Sequence, residues 1–118
     1  MTPEQLRART KQFAIGIVRL YQTLPKTDEG RILGRQLLRS GTSVAANYRA
    51  VCLARSKAEF ISRVAVVLEE ADETAFWLEL LHDVGLLKEG NDRGLTTEAG
   101  ELMRIFGASL RTAKGNKG

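Results

Sequence analysis

Four times along this chain, apolar residues recur three and four positions apart, and nowhere do they alternate in twos over a useful length. That feature decides the fold class. A period of 3.6 lays an apolar stripe along one side of an α-helix, whereas a half-buried strand needs a period of two. The first stripe is Leu6, Phe13, Ile17, Leu20, Tyr21 and Leu24. Thr2-Pro3-Glu4-Gln5 starts its helix: Thr2 caps, Pro3 fits the first turn and Gln5 stands where a capping box needs it. Pro25 ends it, and Lys26-Thr27-Asp28 cap the next.

The second helix is expected from Glu29 to Leu53. Leu33, Leu37, Leu38, Val44, Ala45, Tyr48 and Cys52 fall in one arc when placed at steps of ~100°. Gly34 and Gly41 share that arc; they lower helix propensity but let a neighbour come close, and Gly41 is also a place for a kink. Ser56-Lys57-Ala58-Glu59 is a capping box for a third helix, running to about Val84 and ended by Gly85. Its stripe is Phe60, Ile61, Val64, Val67, Leu68, Ala71, Ala75, Leu78 and Leu81. A polar connection from Lys88 to Leu95 leads to Thr96-Thr97-Glu98, a cap for a last helix carrying Leu102, Ile105, Phe106 and Leu110. With short joints and no internal repeat, the pattern predicts an all-α, antiparallel up-and-down four-helix bundle. One domain is expected over residues 1–112, with a frayed basic tail over 113–118.

A chain of 118 residues, 43% hydrophobic and 27% charged, lies in the ordinary range for one globular domain. It needs neither disulfide nor metal to be stable, and Cys52, the single cysteine, has no intramolecular partner. No apolar run reaches the ~20 residues a bilayer demands, and Glu4, Arg7, Arg9 and Lys11 interrupt any signal-peptide core. A cytoplasmic protein with no membrane association is expected.

No catalytic pattern emerges. Glu79-Leu80-Leu81-His82 is one Glu-x-x-His unit of a di-metal bundle site, but the site needs a second, and His82 is the only histidine. One Cys and one His do not make a zinc site. Glu69, Glu70, Asp72 and Glu73 are expected to form a solvated or ion-paired face, and Ser40, Ser43 and Ser56 have no histidine within their motifs. No phosphate-binding loop or nucleophile elbow is present. The expectation is a protein that is no enzyme and carries no cofactor or metal.

Charge is distributed unevenly. Residues 1–25 carry four bases and one acid, residues 26–57 seven and two, residues 58–90 two and eight, and residues 91–118 five and three. On the helical projection Arg31, Arg35, Arg39 and Arg49 group on one side of helix two, clear of its apolar arc. Guanidinium groups repeated along a helix suit phosphates, which their planar forks engage while counterions are released. With Arg55, Lys57 and the basic residues Arg7, Arg9 and Lys11 of helix one, they are the candidate nucleic-acid contacts. The competing reading is that Glu69, Glu70 and Glu73 neutralise the same arginines, Arg39 and Arg49 first among them because they lie beside the candidate seam. No aromatic stacking platform or groove-reading motif accompanies them, so binding to RNA or DNA would be sequence-independent.

Val66, Phe76 and Trp77 project from helix three away from its core stripe, where a lone bundle would show them to water. Aromatics so placed are what a subunit interface supplies, the alternative being that helix four or the last loop packs over them. A polar stripe on helix two, Gln36, Ser40, Ser43 and Asn47, either fixes helix register by hydrogen bonds or continues that seam; Ser43 and Asn47 are its candidate interface residues.

LLRSGTSVAANYRA from Leu37 to Ala50, ARSKAEF from Ala54 to Phe60 and EEADETAFWLELL from Glu69 to Leu81 resemble the bacterial 23S rRNA intervening-sequence proteins. Phe13, Ile17, Leu20 and Leu24-Pro25 match the same pattern, so the resemblance covers most of residues 10–85, while helix four is weakly diagnostic. The resemblance implies an up-and-down bundle assembled as a homo-oligomer, commonly a ring of five. It also implies kinship with the accessory variability protein of diversity-generating retroelements, a basic ring that associates with nucleic acid and a reverse transcriptase. The function so implied is a non-catalytic accessory factor that holds nucleic acid; the alternative is a protein-protein interaction adaptor with no nucleic acid.

Overall fold

The computed structural model describes residues 1–115, and among these the chain forms four helices: α1 Pro3–Thr23, α2 Asp28–Val51, α3 Lys57–Asp83 and α4 Leu95–Gly115. Local chemistry sets the first three starts. Thr2 accepts from the Gln5 amide while the Gln5 side chain reaches back to the Thr2 amide, Thr27 caps through Gly30, and Ser56 caps through Glu59. The ends follow too. Gly85, at φ +80°, turns the chain left-handed, letting the Leu86 amide bond the Leu81 carbonyl at 2.9 Å.

The last helix starts differently from the expected Thr96-Thr97-Glu98 cap. Arg93 and Gly94 both take positive φ, and the Asp92 carboxylate accepts from the amides of Gly94 (3.1 Å) and Thr96 (3.3 Å). Hydrogen bonding from Thr96, then from the Gly94 amide, holds the Asp92 pKa below its ordinary value. Glu98 serves elsewhere, paired to α1. Helix α4 also continues to Gly115, through the first three residues of the expected tail; residues 116–118 lie outside the described part.

Consecutive helices pack side by side along a rod measuring 52 × 22 × 21 Å, and the α1–α4 seam is the thinnest of the four. The expected stripes make the core. Phe13, Ile17, Leu20, Leu37, Val44, Val64, Val67, Leu78, Leu81, Leu102 and Phe106 are all at most 2% exposed. Phe106 of α4 meets Tyr48 of α2 across the centre, ring centroids 5.6 Å apart. Between α2 and α3, the buried Thr74 hydroxyl donates to Ser40 Oγ (3.0 Å), with the Glu70 carbonyl (2.7 Å) as its alternative acceptor. A buried polar pair of this kind fixes helix register.

Helix α2 runs unbroken through Gly41, because the glycine fits under α1. A Cβ there would stand 2.7 Å from Ile17 Cγ1, and Ile17 is fully buried. Gly30 is tighter: an added Cβ would lie 2.2 Å from the Pro25 carbonyl oxygen, which is backbone. Gly30→Ala is therefore expected to destabilise the bundle by about 1–3 kcal/mol, although alanine is the better helix former by about 1 kcal/mol. Gly100→Ala is the control, since only Arg104 Nη1 at 3.9 Å comes near; it should stabilise by about 0.5–1 kcal/mol. Denaturant midpoints of the two variants moving in the same direction would refute this account.

Candidate nucleic-acid and subunit interfaces

The basic side of the molecule is built by two antiparallel helices. Arg31 and Arg49 are 18 residues apart, five full turns, so they stand on the same line of α2 roughly 27 Å apart. Arg35 lies on that side between them, and all three are exposed. Among the described residues Lys11, Arg19, Arg31, Arg35 and Arg49 make no ion pair. Where the N-terminal part of α1 meets the C-terminal part of α2, a groove of about 700 Å³ brings Arg7, Lys11 and Arg49 around Cys52 and the exposed Leu53. A hydrogen bond to Cys52 raises the Arg7 pKa. Burial, then Cys52 beside it, pushes the Tyr48 hydroxyl up to about 12.

Two of the expected contacts are committed elsewhere. Arg9 faces α4, its Nε 2.6 Å and Nη2 2.8 Å from the two Glu98 oxygens and its Nη2 3.0 Å from Glu101. That fork, with the Glu98 hydrogen bond as the largest influence, raises the Arg9 pKa. Arg39 bonds Glu73 and lies 3.7 Å from Glu70, so the acidic face of α3 does neutralise one arginine of α2. A phosphate would have to displace carboxylates at both. Arg55 is exposed in the α2–α3 joint, its amide bonded to Glu59 at 2.9 Å, and Lys57 opens α3. Sequence reasoning passed over Arg19, which belongs to the same unpaired set; its place in a stretch from Gln5 to Thr27 without one carboxylate was the available signal.

On α3, Phe76 is 49% and Val66 39% exposed. Trp77 is half-buried against the core; its indole N–H donates to Glu73 at 3.3 Å, and its ring meets Phe76 edge-on at 4.9 Å. Ser43 and Asn47 are half-buried on α2, where the Asn47 side-chain amide donates to the Ser43 carbonyl at 2.9 Å. In the same seam Glu70 Oε1 is buried without a hydrogen-bond partner among the described residues. Ile32, 57% exposed on α2, and Val84, 53% exposed past the end of α3, also show apolar surface that the helical stripes did not single out.

No group of three or more His, Cys, Asp or Glu side chains among the described residues is arranged to hold a metal ion, and no described helix is long and apolar enough to cross a membrane. The four helices coincide with the expected apolar stripes, and the α2–α3 seam joins the segments from Leu37 to Ala50 and from Glu69 to Leu81. A family model for 23S rRNA-intervening sequence proteins matches residues 5–108. The chain belongs to that family. A crystal structure of a protein of unknown function from the S23 ribosomal protein family of Bacteroides thetaiotaomicron is 31% identical. It covers 95% of this chain and 100% of its own, with a TM-score of 0.86. No curated protein matches. For this intervening-sequence protein the family match reaches through most of α4, the helix whose own sequence was least distinctive.

Proposed function

We propose that this intervening-sequence protein is a non-catalytic cytoplasmic accessory factor that assembles with itself and holds nucleic acid without sequence preference. As the family resemblance implies, the assembly is a ring of five, and the holding serves a neighbouring nucleic-acid enzyme such as a reverse transcriptase. The observation that carries the reading is the set of unpaired arginines, Arg31, Arg35 and Arg49, along one side of α2. A stripe of roughly 27 Å matches about eight base pairs of duplex at ~3.4 Å each, so one helix can follow a phosphate backbone. The exposed Phe76 and Val66, the half-buried Trp77, Ser43 and Asn47, and the unpartnered Glu70 oxygen support self-association through α3 and its seam with α2.

The second reading, a protein adaptor, is favoured by the same apolar surface on α3 if it meets a foreign protein. Salt separates the two. Each neutralised phosphate adds about 0.9 to the slope of log affinity against log salt for duplex and about 0.7 for single strands. Three arginines on an engaged protomer predict a slope of about −2 to −3 in fluorescence anisotropy with RNA and DNA of mixed sequence. Affinity that stays flat with salt, or no binding at low salt by an intact assembly, would leave the adaptor reading.

A further inference from the structure

We infer that the assembly is built head to tail, an acidic ridge on α3 centred on Phe76 docking into an apolar, basic-rimmed groove along α1 of a second copy of this chain. This rests on the self-association proposed above and names the receiving surface.

The ridge is one line of α3. Glu69, Asp72, Phe76, Glu79 and Asp83 follow at alternating spacings of three and four, and all five are exposed. A phenyl ring stands amid four carboxylates, with no Lys or Arg anywhere between Arg63 and Lys88. The groove is the inverse. Half-buried Ala14, Ile15 and Val18 form its floor, Lys11 and Arg19 its rim, and Arg93 its far end. Arg93 reaches that place from a left-handed backbone, φ 57°, a conformation a side-chain-bearing residue seldom takes. No Asp or Glu occurs between Glu4 and Asp28 to neutralise the rim.

The two surfaces also agree in length: residues 11–22 rise roughly 17 Å along α1 and residues 69–83 roughly 21 Å along α3. They cannot meet within one protomer. Helices α1 and α3 stand diagonally across the bundle, with α2 between them on one side and α4 on the other, and the ridge and the groove are both on the outside. A protomer's ridge is therefore satisfied by another copy's groove, a heterologous contact that closes into a ring when the rotation allows. Because the floor is aliphatic, the groove suits a phenyl ring better than a phosphate. The arginines of α2 stay outside this contact, open to a polyanion.

Two variants test the inference. Ile15→Glu with Arg19→Glu spoils the groove and spares the ridge; Phe76→Lys with Glu79→Lys does the reverse. Native mass spectrometry and sedimentation should find the unaltered protein oligomeric and each variant a 13.0 kDa monomer. Mixed in equal amounts, they should form a 1:1 heterodimer of about 26 kDa and nothing larger, since one good ridge and one good groove remain. Circular dichroism checks that each variant is helical. Should the groove variant fail to fold, Arg19→Glu alone should weaken assembly and Glu79→Arg in the same chain should restore it. An oligomeric parent whose variants stay oligomeric, or stay monomeric when mixed, overturns the head-to-tail contact alone. A monomeric parent overturns self-association as well and leaves the groove to a foreign acidic partner.

Discussion

Truncating Phe106 to alanine is expected to cost about 3–5 kcal/mol, the range for removing a fully buried phenyl ring. Phe106 is 1% exposed and is the ring that α4 sends across the core to Tyr48. Beyond its packing on α3, α4 is fastened by a slender seam to α1, where Arg9 holds Glu98 and Glu101 and Leu95 lies over Gly16. Those ion pairs are part-exposed and worth about 0–1 kcal/mol each, so they cannot replace the ring. Against a total stability of about 5–15 kcal/mol, the variant should stand close to unfolding. Guanidinium melts at fixed protomer concentration measure it, because assembly couples stability to concentration. Leu110→Ala, at a half-buried site of the same helix, should cost distinctly less. Equal midpoints for the two variants would remove Phe106 from its central role.

Replacing Arg31 and Arg35 together by serine should weaken RNA and DNA binding by at least about tenfold and lower the salt slope by about 2, one for each phosphate left without its guanidinium. Neither side chain is paired among the described residues and both are exposed, so the thermal midpoint should not move. That separation of affinity from stability is what distinguishes a binding stripe from a structural one. Arg39→Ser should instead disturb the fold more than the binding, because Glu70 and Glu73 lose their cation. If the double variant binds as the parent does, Arg31 and Arg35 do not touch the polyanion.

What the sequence made legible follows the range of the forces involved. Thr2, Thr27 and Ser56 were readable as helix starts because a cap bonds an amide three residues away. The start of α4 was not readable, since Arg93 and Gly94 act through backbone angles that composition does not announce, and the Asp92 carboxylate meets the Gly94 and Thr96 amides in that turn. Ile17, Leu37 and Leu78 declared themselves core by periodicity, yet nothing local revealed that Gly30 clears the Pro25 carbonyl. At the candidate interfaces every cation but Arg19 was singled out, but which were free was not legible: Arg9 finds Glu98 some 89 positions away, and Arg39 finds Glu73 34 positions away. Pairing across helices needs the bundle first.

The order in which the helices pack has a consequence for how the protein is made. Apart from the α1–α4 seam, every major partner of a helix is the next helix in the chain. Closing short loops costs little entropy, so such a topology belongs with the helical proteins that fold in microseconds to milliseconds. During synthesis α1 and α2 can pair, and α3 can join them, before α4 has left the ribosome. The Arg9 clasp and the Phe106 ring then arrive last, as the step that commits the chain to its finished form.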